Sequence, residues 1–479
     1  MTSDRLPKYE KYRPARLSWL GEIPAHWEEK RAKFFFREVD ERSATGEEEL
    51  LSVSHVTGVT PRSQKNVTMF KAESYAGHKL CRTGDLVINT MWAWMAALGV
   101  ASQSGIVSSS YAVYRPIKTE TFVPEYMDSL LRTKLYSTEY FCRSTGIRPS
   151  RLRLYPEKFL DIPVACPPRY EQESMVNYLR EKDQQIHRFI RNKRRRIELL
   201  NEEKQVIINR AVTCGLDSSL RLKPAGIDCL DDMPEHWELL PFTKYVSDKA
   251  DYRGATPEKT ESGVFLVTAK NVRMGFIDYE SSKEYIAEDS YMDVMRRGLP
   301  KIGDILFTTE APLGNAAIVD REDIALAQRI IRFRMNPRWF DSHFTLLSMM
   351  ANYFQTQLQI RATGSTAQGI KASKLPELRI LHPSLEEQNQ IVEYVEYESK
   401  KIAQTIQTTE REIKLIREYR TRLITDVVTG KVDVRHLVPQ AGELTLDEAE
   451  LLEDANELLL DEEAEDLEVS QEETTLADD

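Results

Sequence analysis

Ile23-Pro24-Ala25-His26-Trp27-Glu28 recurs 210 residues later as Met233-Pro234-Glu235-His236-Trp237-Glu238. Other pairs follow in the same order. Gly84-Asp85-Leu86 returns as Gly303-Asp304-Ile305, Leu98-Gly99 as Leu313-Gly314, Thr145-Gly146 as Thr363-Gly364, and Glu171-Gln172 as Glu387-Gln388. Thr213 and Asp217 reappear as Thr429 and Asp433. One dipeptide match is cheap. A collinear series whose offset drifts only between 210 and 219 is what duplication leaves once surface loops have gained or lost residues. Two copies of so long a unit are too few for a solenoid, so each copy should be a globular domain plus a connector.

The connectors carry the clearest periodicity. Val176, Leu179, Ile186, Ile190, Ile197, Leu200, Ile207 and Ala211 step by threes and fours. Exactly in register, 216 residues on, stand Val392, Val395, Ile402, Ile406, Ile413, Ile416, Leu423 and Val427. Polar residues interrupt both seams at the same three places: Asp183, Lys193 and Lys204, then Ser399, Thr409 and Arg420. A 3.5-residue apolar repeat specifies a long helix lying along a partner. Pro167-Pro168 and Pro383 bar helix before each run, and Gly215 and Gly430 mark the far ends. At ~1.5 Å per residue, some 40 residues span about 60 Å. The two helices are each other's natural antiparallel partners, with Ile186, Ile190, Ile197, Leu200, Ile402, Ile406, Ile413 and Ile416 packing between them. They would hold the two globular units at opposite ends.

The expected fold class is therefore α+β: two similar mixed α/β domains separated by two long antiparallel coiled-coil helices in a pseudo-twofold repeat. The divisions fall at 1–168 (first domain), 169–214 (first spacer helix), 215–383 (linker and second domain), 384–430 (second spacer helix) and 431–479 (a mobile acidic tail). β-type runs follow the Gly-Asp turns at 85–90 and 304–309, and helical stretches rich in Leu, Met, Phe and Tyr cover 125–142 and 340–360.

Composition narrows the function. The chain has 479 residues and a net charge of −11, but residues 441–479 hold 17 acidic and no basic side chains. Without them, 65 basic residues face 59 acidic ones, leaving +6 on residues 1–440. A phosphate-binding body is compatible with that balance. No apolar run of about 18 residues occurs, so no membrane partner is expected, and a polar start points to the cytoplasm. Five cysteines without a CxxC pair read as ordinary reduced residues.

No catalytic constellation stands out. The one Gly-Lys pair, Gly430-Lys431, is followed by Val432, so there is no phosphate-binding loop. Cys166-Pro167-Pro168-Arg169 has the wrong residue at both ends for an amino-methyltransferase loop, and the eight histidines form no metal-ligand spacing. His26 and His236, each beside a tryptophan at a domain entrance, read as packing residues. The expectation is no catalytic residue, no metal and no cofactor on this chain.

Binding residues are easier to nominate. Arg143, Arg148, Ser150, Arg151 and Arg153 lie in a glycine-bearing loop whose repeat equivalent carries Ser365, Gln368, Lys371 and Lys374. Arg and Lys can bond phosphates, Arg can pair with guanine and Gln with adenine in the major groove, though a solvated loop would look the same. Asn89 and Trp92 follow a strand, as do Thr308 and Thr309, and these four are candidates for DNA contact or for core. A basic run, Arg188 to Arg196, suits either the phosphate backbone or pairing with acidic side chains.

Taken together, the His-Trp-Glu entrances, Lys301-Ile302-Gly303-Asp304-Ile305-Leu306, Glu386-Glu387-Gln388 before a heptad helix and Thr429-Gly430-Lys431-Val432-Asp433 after it resemble the DNA specificity subunit of type I restriction–modification systems. The likeness covers about residues 16–437. It implies two target-recognition domains that each read half of a bipartite double-stranded DNA target, with the helices setting the gap. It also implies a non-catalytic subunit with two methyltransferase subunits as partners, which methylate adenine at N6 from S-adenosylmethionine, and restriction/translocase subunits that use ATP and Mg. Cys214-Gly215-Leu216-Asp217 departs from the second copy's Gly430-Lys431-Val432-Asp433. The alternative is a structural coiled-coil scaffold that binds protein.

Overall fold

The computed structural model describes residues 6–64, 74–147, 152–252, 257–364 and 368–437. The chain divides into two compact units, one made of 1–193 with 411–479 and the other of 194–410. Both cuts fall inside long helices, so each unit holds part of each connector. The acidic stretch from 438 lies outside the described residues. Residues 431–437, which the sequence reading assigned to the tail, belong to the first unit, where Val432 and Val434 are buried in the core.

The first unit is built on a four-stranded antiparallel sheet in the order Phe36–Val39, Ala112–Pro116, Leu86–Ile88, Leu98–Val100. The second repeats it in the order Val246–Asp251, Ile330–Met335, Ile305–Thr308, Ala316–Ile318. Leu86–Ile88 and Ile305–Thr308 are buried along their whole length because both faces are covered. Leu86 and Ile88 point into one core and Val87 into another. Ile305 and Phe307 do the same against Leu306. This is the period-two alternation of a strand between two layers.

Helices Pro124–Leu131 (α1), Lys134–Arg143 (α2) and Pro156–Leu160 (α3) complete the first unit's main core. The second has Tyr291–Val294 (α5), Ser342–Met350 (α6) and Asn352–Arg361 (α7). Between them in sequence comes Arg169–Cys214 (α4), and after them Leu385–Val428 (α8). A strand at each domain entrance pairs with one just before each long helix: Glu28–Arg31 with Pro163–Cys166, and Glu238–Pro241 with Arg379–His382.

The two long helices run antiparallel in both units. As numbers rise along α4, those of its α8 partners fall. In the first unit Asp183 bonds Arg420 and Lys193 bonds Glu412. In the second, Ile208, Ala211 and Val212 share a core with Ile391 and Val395. Ile186, Ile190, Ile402 and Ile413 are buried, whereas Ile197, Leu200, Ile406 and Ile416 are half-buried. Of the polar seam positions, Thr409 is buried and returns its hydroxyl to the Thr405 carbonyl at 2.8 Å. The two ends close on left-handed glycines, Gly215 (φ +75°) and Gly430 (φ +76°), as helix C-termini commonly do.

Candidate nucleic-acid interface

A hydrogen-bonded frame fixes each unit before any loop is considered. Glu171, on the first turn of α4, is fully buried. It accepts bonds from Trp27 Nε1 (3.0 Å), Tyr9 Oη (3.1 Å) and Tyr170 Oη (3.1 Å), and it meets His26 Nε2 at 2.6 Å. Burial and the adjacent Glu171 carboxylate push the Tyr9 phenol far above its ordinary pKa, so it remains a donor. In the second unit, Glu387 on α8 takes the same place. It accepts from Trp237 Nε1 (3.1 Å) and Ser384 Oγ (2.9 Å), and meets His236 Nε2 at 2.7 Å. Burial alone would raise the Glu387 carboxyl, but the bonds from His236, Trp237 and Ser384 outweigh it and hold the group below its ordinary value. The neighbouring glutamines act alike. Gln172 accepts from Val123 N, just before α1, and Gln388 from Asp341 N, just before α6, both at 2.8 Å. The repeated His-Trp and Glu-Gln pairs are thus two halves of one latch between domain entrance and long helix.

The repeated Gly-Asp turns have a second structural task. Asp85 is buried and accepts from Arg115 Nε (2.9 Å) and Nη2 (2.8 Å), as well as from Arg82 N. Asp304 accepts from Arg334 Nε (2.7 Å) and Nη2 (2.8 Å) and from Lys301 N. The second unit adds Arg332, fully buried, which donates to Asp304 at 3.0 Å and to Asp248 at 2.6 Å. The equivalent place in the first unit holds buried Val113.

The loops nominated for DNA contact are anchored identically. Thr145 and Arg153 exchange backbone hydrogen bonds at 3.0 Å, and Leu154 N donates to Thr90 O at 2.9 Å. In the second unit Thr363 and Gly369 exchange theirs at 2.9 and 3.0 Å, and Ile370 N donates to Thr309 O at 2.9 Å. Each loop is therefore tied to the end of a central strand, where side chains from three segments converge.

The nominated residues divide sharply. Trp92 is 41% exposed and stacks on Trp94, with ring centroids 6.2 Å apart. Gln368 is exposed and lines a hollow of about 420 Å³ with Ala311, Pro312, Leu313 and Gln355. Lys371 is exposed, while Lys374 pairs with Glu377 at 2.7 Å. Arg143 bonds Glu139 and lies 3.8 Å from Asp161, which makes it a charge engaged within its own unit. Arg153 contributes its backbone to the loop base and its side chain is half-buried. Arg148, Ser150, Arg151 and Ser365 lie outside the described residues.

Three nominations are corrected. Asn89, Thr308 and Thr309 are buried, and their polar groups are engaged inside the fold. Asn89 donates to Tyr111 Oη at 3.3 Å, Thr308 Oγ1 to Asn315 O at 3.3 Å and Thr309 Oγ1 to Arg329 O at 3.2 Å. They buttress the strand ends, the core role the sequence also allowed. The basic run on α4 also pairs within the chain, through Lys193–Glu412 at 2.6 Å and Arg195–Glu198 at 2.8 Å. Among the described residues there is no group of three His, Cys, Asp or Glu placed to hold a metal ion, and no helix long and apolar enough to cross a membrane.

The pair Glu310–Arg329 was not singled out by its sequence. Arg329 Nε meets Glu310 Oε1 at 3.0 Å, beside the Gly369 anchor, with both side chains about half exposed. An isolated Glu and an isolated Arg 19 positions apart give no sequence signal. Only the strand pairing brings them together.

Comparison with known proteins agrees with the frame. The family model for the type I restriction modification DNA specificity domain matches residues 263–415. A relative described as the type I restriction enzyme MjaVIII specificity subunit, from Methanocaldococcus jannaschii, is 26% identical over 285 residues. That match covers 58% of this chain and 64% of the relative, so the chain spans a little under two thirds of the relative's length. A chain from a solved structure of the type I R-M system superposes with a TM-score of 0.58 at 14% identity, covering 85% of this chain and 98% of the other, which establishes a shared fold. The resemblance read from the repeated motifs is borne out: residues 263–415 match the type I restriction modification DNA specificity domain, and the chain, with its two long helices, shares an α+β fold with the solved chain from that system.

Proposed function

We propose that the chain is the sequence-reading subunit of a type I restriction–modification complex, with each unit reading one half of a bipartite DNA target. The observation that carries this reading is a frame whose His-Trp-Glu and Gln bonds recur in both units while its loop-bearing strand ends differ. A duplicated scaffold that repeats its buried latch while varying its exposed tips is suited to hold two unlike readers. Half-sites read by unlike surfaces must differ from each other, and two readers on one chain demand a set separation, on the scale of the ~34 Å helical turn of DNA.

Chemistry belongs to partners in this reading. The buried carboxylates Glu171, Asp85 and Asp304, and half-buried Glu387, are all engaged in structural bonds of the frame. Two methyltransferase subunits would bring S-adenosylmethionine and modify adenine at N6. Restriction/translocase subunits would bring ATP and Mg. The complex would work in the cytoplasm, where chromosomal DNA is accessible.

Long-read methylation mapping of cells expressing the chain with its methyltransferase, against cells lacking only this chain, tests the proposal. The expected result is adenine methylation at one interrupted, asymmetric motif that disappears with the chain. A protein-binding scaffold would leave the methylome unchanged.

A further inference from the structure

Among the described residues, three non-glycine residues have positive φ: Ala96 (+62°), Ala311 (+44°) and Arg329 (+76°). Ala96 lies in the turn that follows Leu86–Ile88 and Ala311 in the turn that follows Ile305–Thr308, so the corresponding turn of each unit holds one. Arg329 sits just before Ile330–Met335, next to the second of those turns. An L-residue in the left-handed region costs energy and persists only where its surroundings fix it, and such residues gather at functional sites. All three mark the same end of the sheet, where the loops 145–153 and 363–369 are anchored.

Hydrogen bonds give a residue-by-residue equivalence at that end. Thr90 and Thr309 each receive a backbone bond from the loop. The hydroxyl of each donates to the next strand, Thr90 to Ser110 O (3.0 Å) and Thr309 to Arg329 O (3.2 Å). Ser110 therefore stands where Arg329 stands, and Met91 where Glu310 stands. The first unit offers Met91 and Trp92, both about 40% exposed, and, among the described residues, no ion pair between the positions of Met91 and Ser110. The second offers Arg329, 47% exposed, oriented through Nε by Glu310 and flanked by exposed Gln368.

We propose that Arg329, held by Glu310, is a specificity-determining residue that reads a guanine in the half-site of the second unit. The inference rests on the function proposed above and deepens it. A guanidinium steered along its Nε edge presents Nη1 and Nη2, the two donors that match O6 and N7 of guanine in the major groove. Thr309 N and Oγ1 both bond the Arg329 carbonyl, at 3.0 and 3.2 Å, so the strained backbone is fixed and the side chain emerges from a defined point. Among the described residues, the first unit has no Glu–Arg pair at the equivalent point. There Met91, Trp92 and Ser110 are exposed, and the two large side chains are fit for a thymine methyl or a base face.

The test is methylome mapping of cells carrying the methyltransferase with wild-type chain, Arg329→Ala or Arg329→Lys. Arg329→Ala should relax one guanine position in one half-site, with discrimination falling on the order of tenfold to a hundredfold, while the other half-site and the gap stay as they were. Arg329→Lys keeps the charge without the fork, so it should relax the same position while retaining overall methylation. An unchanged motif in both variants overturns the proposal. So does uniform loss of methylation with no position relaxed, from complexes shown to be assembled by size-exclusion chromatography. If wild type itself yields no chain-dependent motif, the underlying functional reading fails instead.

Discussion

The two units share their latch between domain entrance and long helix and differ most at their exposed strand ends. Glu171 and Glu387 receive the same Trp and His partners, and Gln172 and Gln388 cap equivalent segments at the same 2.8 Å. At the strand ends the likeness stops, with Met91 and Ser110 in one unit against Glu310 and Arg329 in the other. Physical cost explains the contrast. A buried carboxylate that loses a donor leaves an unsatisfied group, whereas an exposed side chain is replaced with little effect on folding. Divergence is cheapest at the tips, and a pair of unlike readers needs it there.

The sharpest way to break the comparison is at the Gly-Asp turns, because there the buried chemistry itself differs. Asp304→Ala leaves Arg332 fully buried with only half-exposed Asp248 as a close acid, and we expect the second unit to lose about 3–5 kcal/mol. Asp85→Ala leaves Arg115 with Glu41 at 2.9 Å and no second buried arginine, so about 1–3 kcal/mol is expected. Hydrogen exchange read separately on peptides of each unit should show that order. Equal losses would mean that Arg332 adds nothing to the second unit.

The helix ends come next. A Cβ on Gly430 would lie 2.5 Å from Pro24 Cδ and 2.8 Å from the Trp27 ring, whereas on Gly215 it would meet the Trp237 ring at an ordinary 3.4 Å. Both substitutions strain a left-handed residue, at about 1 kcal/mol. Gly430→Ala adds overpacking and should cost about 2–4 kcal/mol in all. Denaturant midpoints of the two variants decide it, and a Gly215→Ala variant that is the weaker of the two contradicts the packing.

The smallest effect is acidic. Glu387 has its folded pKa lowered, so its contribution is fully present above the unfolded value of 4.5 and is lost as the pH falls through the lower folded value. Exchange protection of the second unit should decline below pH 4.5, and Glu387→Gln should flatten that decline. A pH dependence that Glu387→Gln leaves unaltered would place the acid sensitivity elsewhere.

The frame was legible because duplication writes it twice. The His-Trp, Glu-Gln and Gly-Asp pairs recur at offsets near 216, and the heptads give helix, direction and partner at once. Their joint role was not legible, since nothing along the chain says that Glu171 lies under Trp27. The long helices are readable by period, but residues 431–437 read as tail because an acidic stretch follows them. In the structure Asp433 N donates to Pro7 O at 2.8 Å and Val432 and Val434 enter the core. The reading surface was the least legible part. Asn89, Thr308 and Thr309 fall at the ends of β-type runs, where the sequence leaves DNA contact and core both open, and strand pairing buries them, while Arg329 and Glu310 become neighbours only through that same pairing.

The claim that one repeated frame carries two independent readers is tested most directly by giving both frames the same reader. Residues 238–382 would be replaced by 28–166, leaving Trp27, Trp237, Glu171, Glu387 and both long helices in place. Long-read methylation mapping of cells expressing this chain with its methyltransferase should then return an inverted repeat of the first half-site with the original gap. A motif that still contains the second half-site, or a gap that changes while the helices do not, would contradict the account.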